Sequence, residues 1–294
     1  MRVLVAIDGS ADARAAVAWL SRLPLPAGHS IRLLTVVVPP IALIDVDKAQ
    51  EARAALIAEA QQLVDDTASE LRLSRDFTRG EVVVENDARE AIVAAARDWN
   101  ADLIAMGARG LGAVARFFLG SVSLAVVREA PCPVLVCKGV PRDLDAITVA
   151  LDGSDHARQA LGWLTSALML PPSTRVRLLG VAEAHHYPSS TPSTASAWGV
   201  VLAAFGAERR ARLEAELSAA ATSLRARLPA IETIVLAGHA PEMIVRDVER
   251  RGTDLVVLGA RGLGVVRRLL LGSVSESVLA HAACSVLIVR RRPS

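Results

Sequence analysis

Aromatic side chains are scarce in this chain of 294 residues: Phe, Trp and Tyr together make up 3%, with a single tyrosine. The core must therefore be built from aliphatic side chains, which dominate a hydrophobic fraction of 52% and suit buried parallel strands covered by helices. Cysteine is also sparse. Cys132, Cys137 and Cys284 form an odd, scattered set, which argues against a disulfide framework and for a reducing compartment, so a cytoplasmic protein is expected. An excess of one charge is missing too: the formal net charge is +2, and nothing marks a nucleic-acid or membrane-surface binder. Apolar runs are broken by Arg, Pro or Gly before they reach spanning length, so no transmembrane helix is expected. The chain passes from Met1 straight into Val3–Ile7 and Asp8, so no secretory leader is expected either. His185, His186, His281 and Cys284 have no spacing that closes a tetrahedral set, and no metal site is expected from them.

What is present is a repeat. Residues 103–110 read LIAMGARG and residues 255–262 read LVVLGARG. At this offset of 152, Gly107, Gly110, Gly120 and Ser121 return as Gly259, Gly262, Gly272 and Ser273. The segment VAIDGSADAR, ending at Arg14, returns as VALDGSDHAR, ending at Arg158, at an offset of 144. Two ordered matches in each half indicate a tandem duplication. The second copy has gained about eight residues, mostly near 182–204. The expected domains are 1–140 and 144–294, joined near Gly139–Asp143.

Within one copy, strand and helix patterns alternate. Strands are expected at Val3–Ile7, Ile31–Val38, Val82–Val84, Leu103–Met106 and Val134–Cys137. Helices are expected at Ala11–Leu23, Lys48–Leu73, Ala88–Trp99 and Ser121–Glu129. The second copy repeats the strands at Ile147–Leu151, Val176–Val181, Ile234–Leu236, Leu255–Leu258 and Val286–Val289. Alternation with right-handed crossovers implies an α/β fold: two tandem open parallel five-stranded sheets, Rossmann-like, with helices on both faces.

In each half the pattern G-x2-G-x9-G-S starts directly after the fourth strand. Open α/β sheets bind ligands at the carboxyl ends of their strands. Gly107 and Gly110 can adopt positive φ and leave backbone N–H groups open to an anion. Gly120 and Ser121 then open a helix whose first amides lack partners, so Ser121, Val122 and Ser123 follow as phosphate-binding candidates, with Ser121 Oγ as N-cap or phosphate donor. Gly259, Gly262, Gly272, Ser273, Val274 and Ser275 take these roles in the second half, where Ser273 and Glu276 also fit a capping box. The plainer alternative is that the glycines simply end strands and Ser121 simply caps a helix, and retention of all four positions in both halves argues against it. There is no G-x-x-x-x-G-K-[ST], and the glycine order differs from the dinucleotide G-x-G-x-x-G. Asp8 and Asp152, at the ends of the first strands, can bind a ribose hydroxyl or phosphate-bound Mg²⁺, or can cap the next helix. Val38 and Val181 end the second strands and can line an adenine slot or belong to the core. Arg109 and Arg261 lie inside the loops and can reach phosphates.

Asp8 with Gly107, Gly110, Gly120 and Ser121, and their repeats, resemble the ATP-binding branch of the universal stress protein family over nearly the whole chain. The resemblance implies a strand order of 3-2-1-4-5, with ATP between the ends of strands one and four. It also implies pairing through the fifth strand, here within one chain; whether two chains also associate stays open. One departure stands out: the second copy has Gly238-His239-Ala240-Pro241 after its third strand, where the first has Glu85-Asn86-Asp87-Ala88. The segment from His185 to Trp198 is expected to form a mobile loop over the second site. The function expected is an ATP-binding, nucleotide-dependent regulatory module that carries Mg²⁺ with its nucleotide and acts on a protein client. A slow ATP hydrolase on the same crevice and a nucleotide-free scaffold are the alternatives.

Overall fold

The computed structural model describes residues 1–39, 46–72, 77–110, 119–139, 143–183, 192–262 and 271–290. The first half contains β1 (Arg2–Ala6), α1 (Ala11–Leu20), β2 (Ser30–Val37), α2 (Val46–Arg72), β3 (Phe77–Val84), α3 (Ala88–Asp98), β4 (Leu103–Gly107), α4 (Ser121–Glu129) and β5 (Val134–Cys137). The second contains β6 (Ala146–Ala150), α5 (Asp155–Ala167), β7 (Arg175–Ala182), α6 (Pro192–Leu224), β8 (Ile231–Ala237), α7 (Ala240–Arg251), β9 (Leu255–Gly259), α8 (Ser273–His281) and β10 (Ser285–Val289). The Ser/Thr/Pro-rich run from Pro192 onward is therefore the start of α6 rather than a loop, with proline at the first helical position, where its missing N–H costs nothing. His185 and His186 lie outside the described residues, as does the centre of each glycine loop.

The ten strands form one sheet in the order β3-β2-β1-β4-β5-β10-β9-β6-β7-β8. Each half has the order 3-2-1-4-5, all parallel. The halves meet where β5 and β10 pair antiparallel, with Val136 opposite Val286 and Leu135 opposite Leu287. The two five-stranded sheets are thus continuous, and neither fifth strand is left as an open edge.

Strand alternation divides the core. Val3 and Val5 join one hydrophobic cluster with residues of α1, α2, α5 and α6. Leu4 and Ala6 join the opposite cluster with residues of α3, α4, α7 and α8. Cys132 and Cys137 are fully buried small core residues. Among the described residues no helix is long and apolar enough to cross a membrane.

Two cations lock the halves across the sheet junction. Lys138, just past β5, donates from Nζ to the Leu279 and Ala282 carbonyls at the end of α8, at 2.7 and 2.8 Å. Its repeat, Arg290, just past β10, donates from Nη1 to the Arg128 and Ala130 carbonyls at the end of α4, at 2.6 and 3.0 Å. Arg290 is therefore part of the interface; residues 291–294 lie outside the described residues. Arg128 and Glu276 add an ion pair between α4 and α8 at 2.7 Å.

Candidate functional site

The first strand of each half ends in Asp-Gly-Ser, and both copies fold the same way. Gly9 and Gly153 adopt φ of +78° and +82°, a conformation that disfavours any residue with a Cβ. That turn brings the Ser10 amide to Asp8 Oδ1 at 3.0 Å and the Ser154 amide to Asp152 Oδ1 at 2.9 Å. The helix cap is the serine, not the aspartate: Ser10 Oγ accepts from the Ala13 amide, and Ser154 Oγ from the Ala157 amide, each at 3.2 Å. The aspartates are thereby held at the strand ends with their second oxygens turned to the glycine loops. A Cβ at Gly110 would stand 2.6 Å from Asp8 Oδ2, and one at Gly262 2.5 Å from Asp152 Oδ2.

The glycines act through close approach rather than through positive φ, which none of the loop glycines shows among the described residues. A Cβ at Gly107 would stand 2.6 Å from the Asp12 backbone carbon, and one at Gly259 2.6 Å from that of His156. Gly107 and Gly259 therefore let α1 and α5 settle onto the ends of β4 and β9. The Gly120 amide donates to the Ala108 carbonyl and the Gly272 amide to the Ala260 carbonyl, both at 2.8 Å, which folds each loop back onto its strand.

Helices α4 and α8 begin at these glycines. Gly120 and Gly272 are the N-caps, and neither helix has a side-chain cap, so Ser121 and Ser273 are the first helical residues, and the capping box of Ser273 with Glu276 does not form. Their first turns, unlike those of α1 and α5, carry no side-chain cap hydrogen bond among the described residues, and each lies at an anion-attracting helix start. The hydroxyls of Ser123 and Ser275 are buried and turned inward: they donate to the Gly107 and Gly259 carbonyls at 2.9 and 2.7 Å.

In the second half these pieces enclose a cavity of about 300 Å³. Its walls include Asp152, Val181, Gly259, Arg261, Gly262, Gly272, Ser273, Val274 and Ser275, the second-half positions expected from the sequence to contact a nucleotide. Three further kinds of residue line it that sequence reasoning missed. Leu179, Leu258 and Ile244 give it an apolar wall; Glu183, past the end of β7, and Arg209, on α6, add charge. Glu183 also accepts from the Ala240 amide at the start of α7, at 3.3 Å. Ala6 pairs with Leu34 and Ala150 with Leu179, so Val181 corresponds to Val36, and Val38 stands where Glu183 does. Val38 is 46% exposed, past the end of its strand.

In the first half, Asp8, Gly107, Gly110, Gly120, Ser121, Val122 and Ser123 repeat this arrangement, but Arg109 does not match Arg261. Arg109 donates from Nε and Nη2 to the two carboxylate oxygens of Asp12, at 2.8 and 3.1 Å. That hydrogen bonding raises the guanidinium pKa still further. In the second half Asp12 is replaced by His156, whose Nδ1 is buried without a hydrogen-bond partner. Burial first, and the charge of Arg261 next, push the His156 pKa down, so the ring is neutral near pH 7. After the third strands, Asp87 caps α3 and pairs with Arg89, while α7 starts at His239 with Pro241 in its first turn and no side-chain cap.

The donor set fits an adenine nucleotide. It combines uncapped helix starts, a glycine position that a Cβ would crowd at 3.1 Å from the Ala108 carbonyl, a strand-end carboxylate and an apolar wall. Among the described residues no three His, Cys, Asp or Glu side chains cluster as a metal centre.

A family model described as the universal stress protein family matches residues 1–138 and again 144–290. A universal stress protein of Mycobacterium tuberculosis is 28% identical over 307 aligned residues, covering 99% of this chain and 97% of its own. One from Thermus aquaticus is 36% identical over 144 residues, covering 49% of this chain and 97% of its own. The crystal structure of a universal stress protein from Archaeoglobus fulgidus has a TM-score of 0.65 at 21% identity, over 99% of this chain and 96% of that one, a likeness of fold.

Proposed function

The chain belongs to the universal stress protein family in both of its halves, and on that premise we propose that each half holds an adenine nucleotide, ATP with Mg²⁺, as a nucleotide-dependent regulatory module in the cytoplasm. The observation that carries this reading is the second-half cavity. It gathers a strand-end carboxylate, an uncapped helix start and an apolar wall around about 300 Å³, at the lower end of the range of small-molecule sites. The first-turn amides of α4 and α8, with Ser121 and Ser273, would hold phosphate. Asp8 and Asp152 would hold a ribose hydroxyl or the Mg²⁺. Val181 and Leu179, with Val36 and Leu34 in the first half, would face the base. Bound Mg²⁺ would neutralise phosphate charge beside these carboxylates. The output is a change in partner choice with occupancy, read by a protein client.

Calorimetric titration of Mg²⁺-ATP into the parent protein, beside Gly120→Val and Gly272→Val, tests the reading. The expected result is two sites in the parent and one in each variant. Nucleotide at a hundredfold over Kd should also stabilise the fold by about 2.7 kcal/mol. No heat and no thermal shift with ATP, ADP or AMP would overturn the proposal and leave a scaffold. Single-turnover hydrolysis separates holding from turnover: ADP formation that disappears in Asp8→Ala and Asp152→Ala would replace the binding reading with an ATPase.

A further inference from the structure

The second residue of α1 and its repeat in α5 differ, and the difference changes what each loop arginine can do. We infer that the exchange of Asp12 for His156 makes the two sites select ligands of different charge: the second half strongly prefers nucleoside di- and triphosphates to the monophosphate, and the first half distinguishes them weakly. This rests on the adenine-nucleotide reading above and goes beyond it.

In the first half both oxygens of Asp12 are engaged by Arg109. Asp12 is only 6% exposed, so a guanidinium that left it for a phosphate would strand a buried carboxylate. The carbonyl of Arg109 is held as well, by Ser10 Oγ at 3.1 Å. The positive charge of this loop is therefore matched before any ligand arrives.

In the second half Arg261 lines the cavity beside Asp152, Gly272 and Ser273. No acidic side chain pairs with it among the described residues, and His156 offers no negative charge in place of Asp12. The Arg261 Cα lies 3.4 Å from where a Cβ of Gly272 would be, so the arginine springs from beside the first turn of α8. A cation and the positive end of a helix dipole thus converge on one place, and the attraction they exert grows with the phosphate charge presented.

The test isolates each site. Gly120→Val leaves the second and Gly272→Val leaves the first, and each protein is titrated with Mg²⁺-ATP and with AMP. The ratio of ATP to AMP affinity should be at least about tenfold larger at the second site, the effect of one desolvated charge interaction. In the second-site protein, His156→Asp should supply the missing carboxylate and lower ATP affinity about tenfold, with AMP changed less than about threefold. Arg261→Gln should reproduce that loss without adding a buried carboxylate, and Arg109→Gln combined with Asp12→Asn in the first-site protein, which removes the matched pair together, should leave the ratio unchanged. Thermal unfolding of each variant separates lost folding from lost selectivity. Equal ratios at the two sites, or a ratio unmoved by both His156→Asp and Arg261→Gln, would overturn this inference alone. Absence of binding by either nucleotide to either isolated site would overturn the nucleotide reading and this inference with it.

Discussion

Gly259→Ala separates packing from ligand approach at a second-half glycine hemmed in by backbone. A Cβ there would stand 2.6 Å from the His156 backbone carbon, 2.7 Å from its carbonyl oxygen and 2.9 Å from the Ala157 nitrogen. Ordinary contact needs roughly 3.5 Å or more, and backbone has no rotamer to give, so α5 must retreat by about an ångström. That helix buries Ala157, Ala160, Leu161 and Leu164, and the retreat loosens all four. Overpacking of this kind costs about 1–3 kcal/mol, or roughly 3–10 °C in Tm for a domain of this size. The matched control is Gly162→Ala on the exposed face of the same helix, where a Cβ meets nothing within 4 Å. Alanine is the better helix former, so this change should stabilise by about 0.5–1 kcal/mol. Urea and thermal unfolding of the two proteins should therefore move in opposite directions. Parental stability in Gly259→Ala, combined with lost nucleotide binding, would refute the packing argument and return the glycine to the phosphates.

Three further outcomes are expected. Ser275→Ala removes a buried hydroxyl that donates to the Gly259 carbonyl at 2.7 Å, and urea unfolding should show a loss of about 1–2 kcal/mol. Ser10→Ala removes both a helix cap and a hydrogen bond to the Arg109 carbonyl at 3.1 Å; it should cost about 1–2 kcal/mol, and more than Ser154→Ala, whose matching contact is 3.5 Å long. Burial lowers the Lys138 pKa from 10.5 to about 8. The unfolded chain then binds the extra proton between those values, so this residue adds stability as pH rises from about 8 toward 10.5 and withholds it below about 8. The stability of the parent minus that of Lys138→Met, from urea unfolding at each pH, should rise across this window by up to about 3 kcal/mol; a flat difference would refute it.

The sequence revealed whatever depended on neighbours along the chain and concealed what depended on distant ones. Helix α4 and strand β5 run over the expected residues, because Gly-Ser and Ala-Pro punctuate an otherwise apolar stretch. Strands β3 and β8 begin earlier than their apolar cores suggest, at Phe77 and Ile231. Both are edge strands, so polar residues such as Glu81, Glu232 and Thr233 can point outward and break the hydrophobic pattern. The glycines were visible, but their purpose was not: the crowding at Gly107 comes from Asp12, far back in the chain, and the ion pair of Arg109 with Asp12 spans 97 residues. Arg209 reads as a solvated charge in the run Glu208–Arg210, and only the packing of α6 over β7 brings it to the cavity wall. Matching Val38 to Val181 by strand end, rather than by pairing register, slipped the repeat, since Val36 is the residue that corresponds to Val181.

Helices α4 and α8 are where the duplication and the candidate sites meet. Each starts, uncapped, at the glycine loop of its own half and ends on a cation supplied by the other, Arg290 for α4 and Lys138 for α8. An anion at the start of a helix and a cation at its end both favour the same dipole. The phosphate proposed for one half and the lock provided by the other therefore stabilise opposite ends of one nine-residue helix. A half on its own would expose β5 or β10 as an unpaired edge and leave these terminal carbonyls without their cation. The tandem chain supplies both within one molecule, so the charge environment of each site depends on residues of both repeats. This is why a single exchange such as Asp12 for His156 can make the sites unequal while the shared sheet keeps the two halves alike.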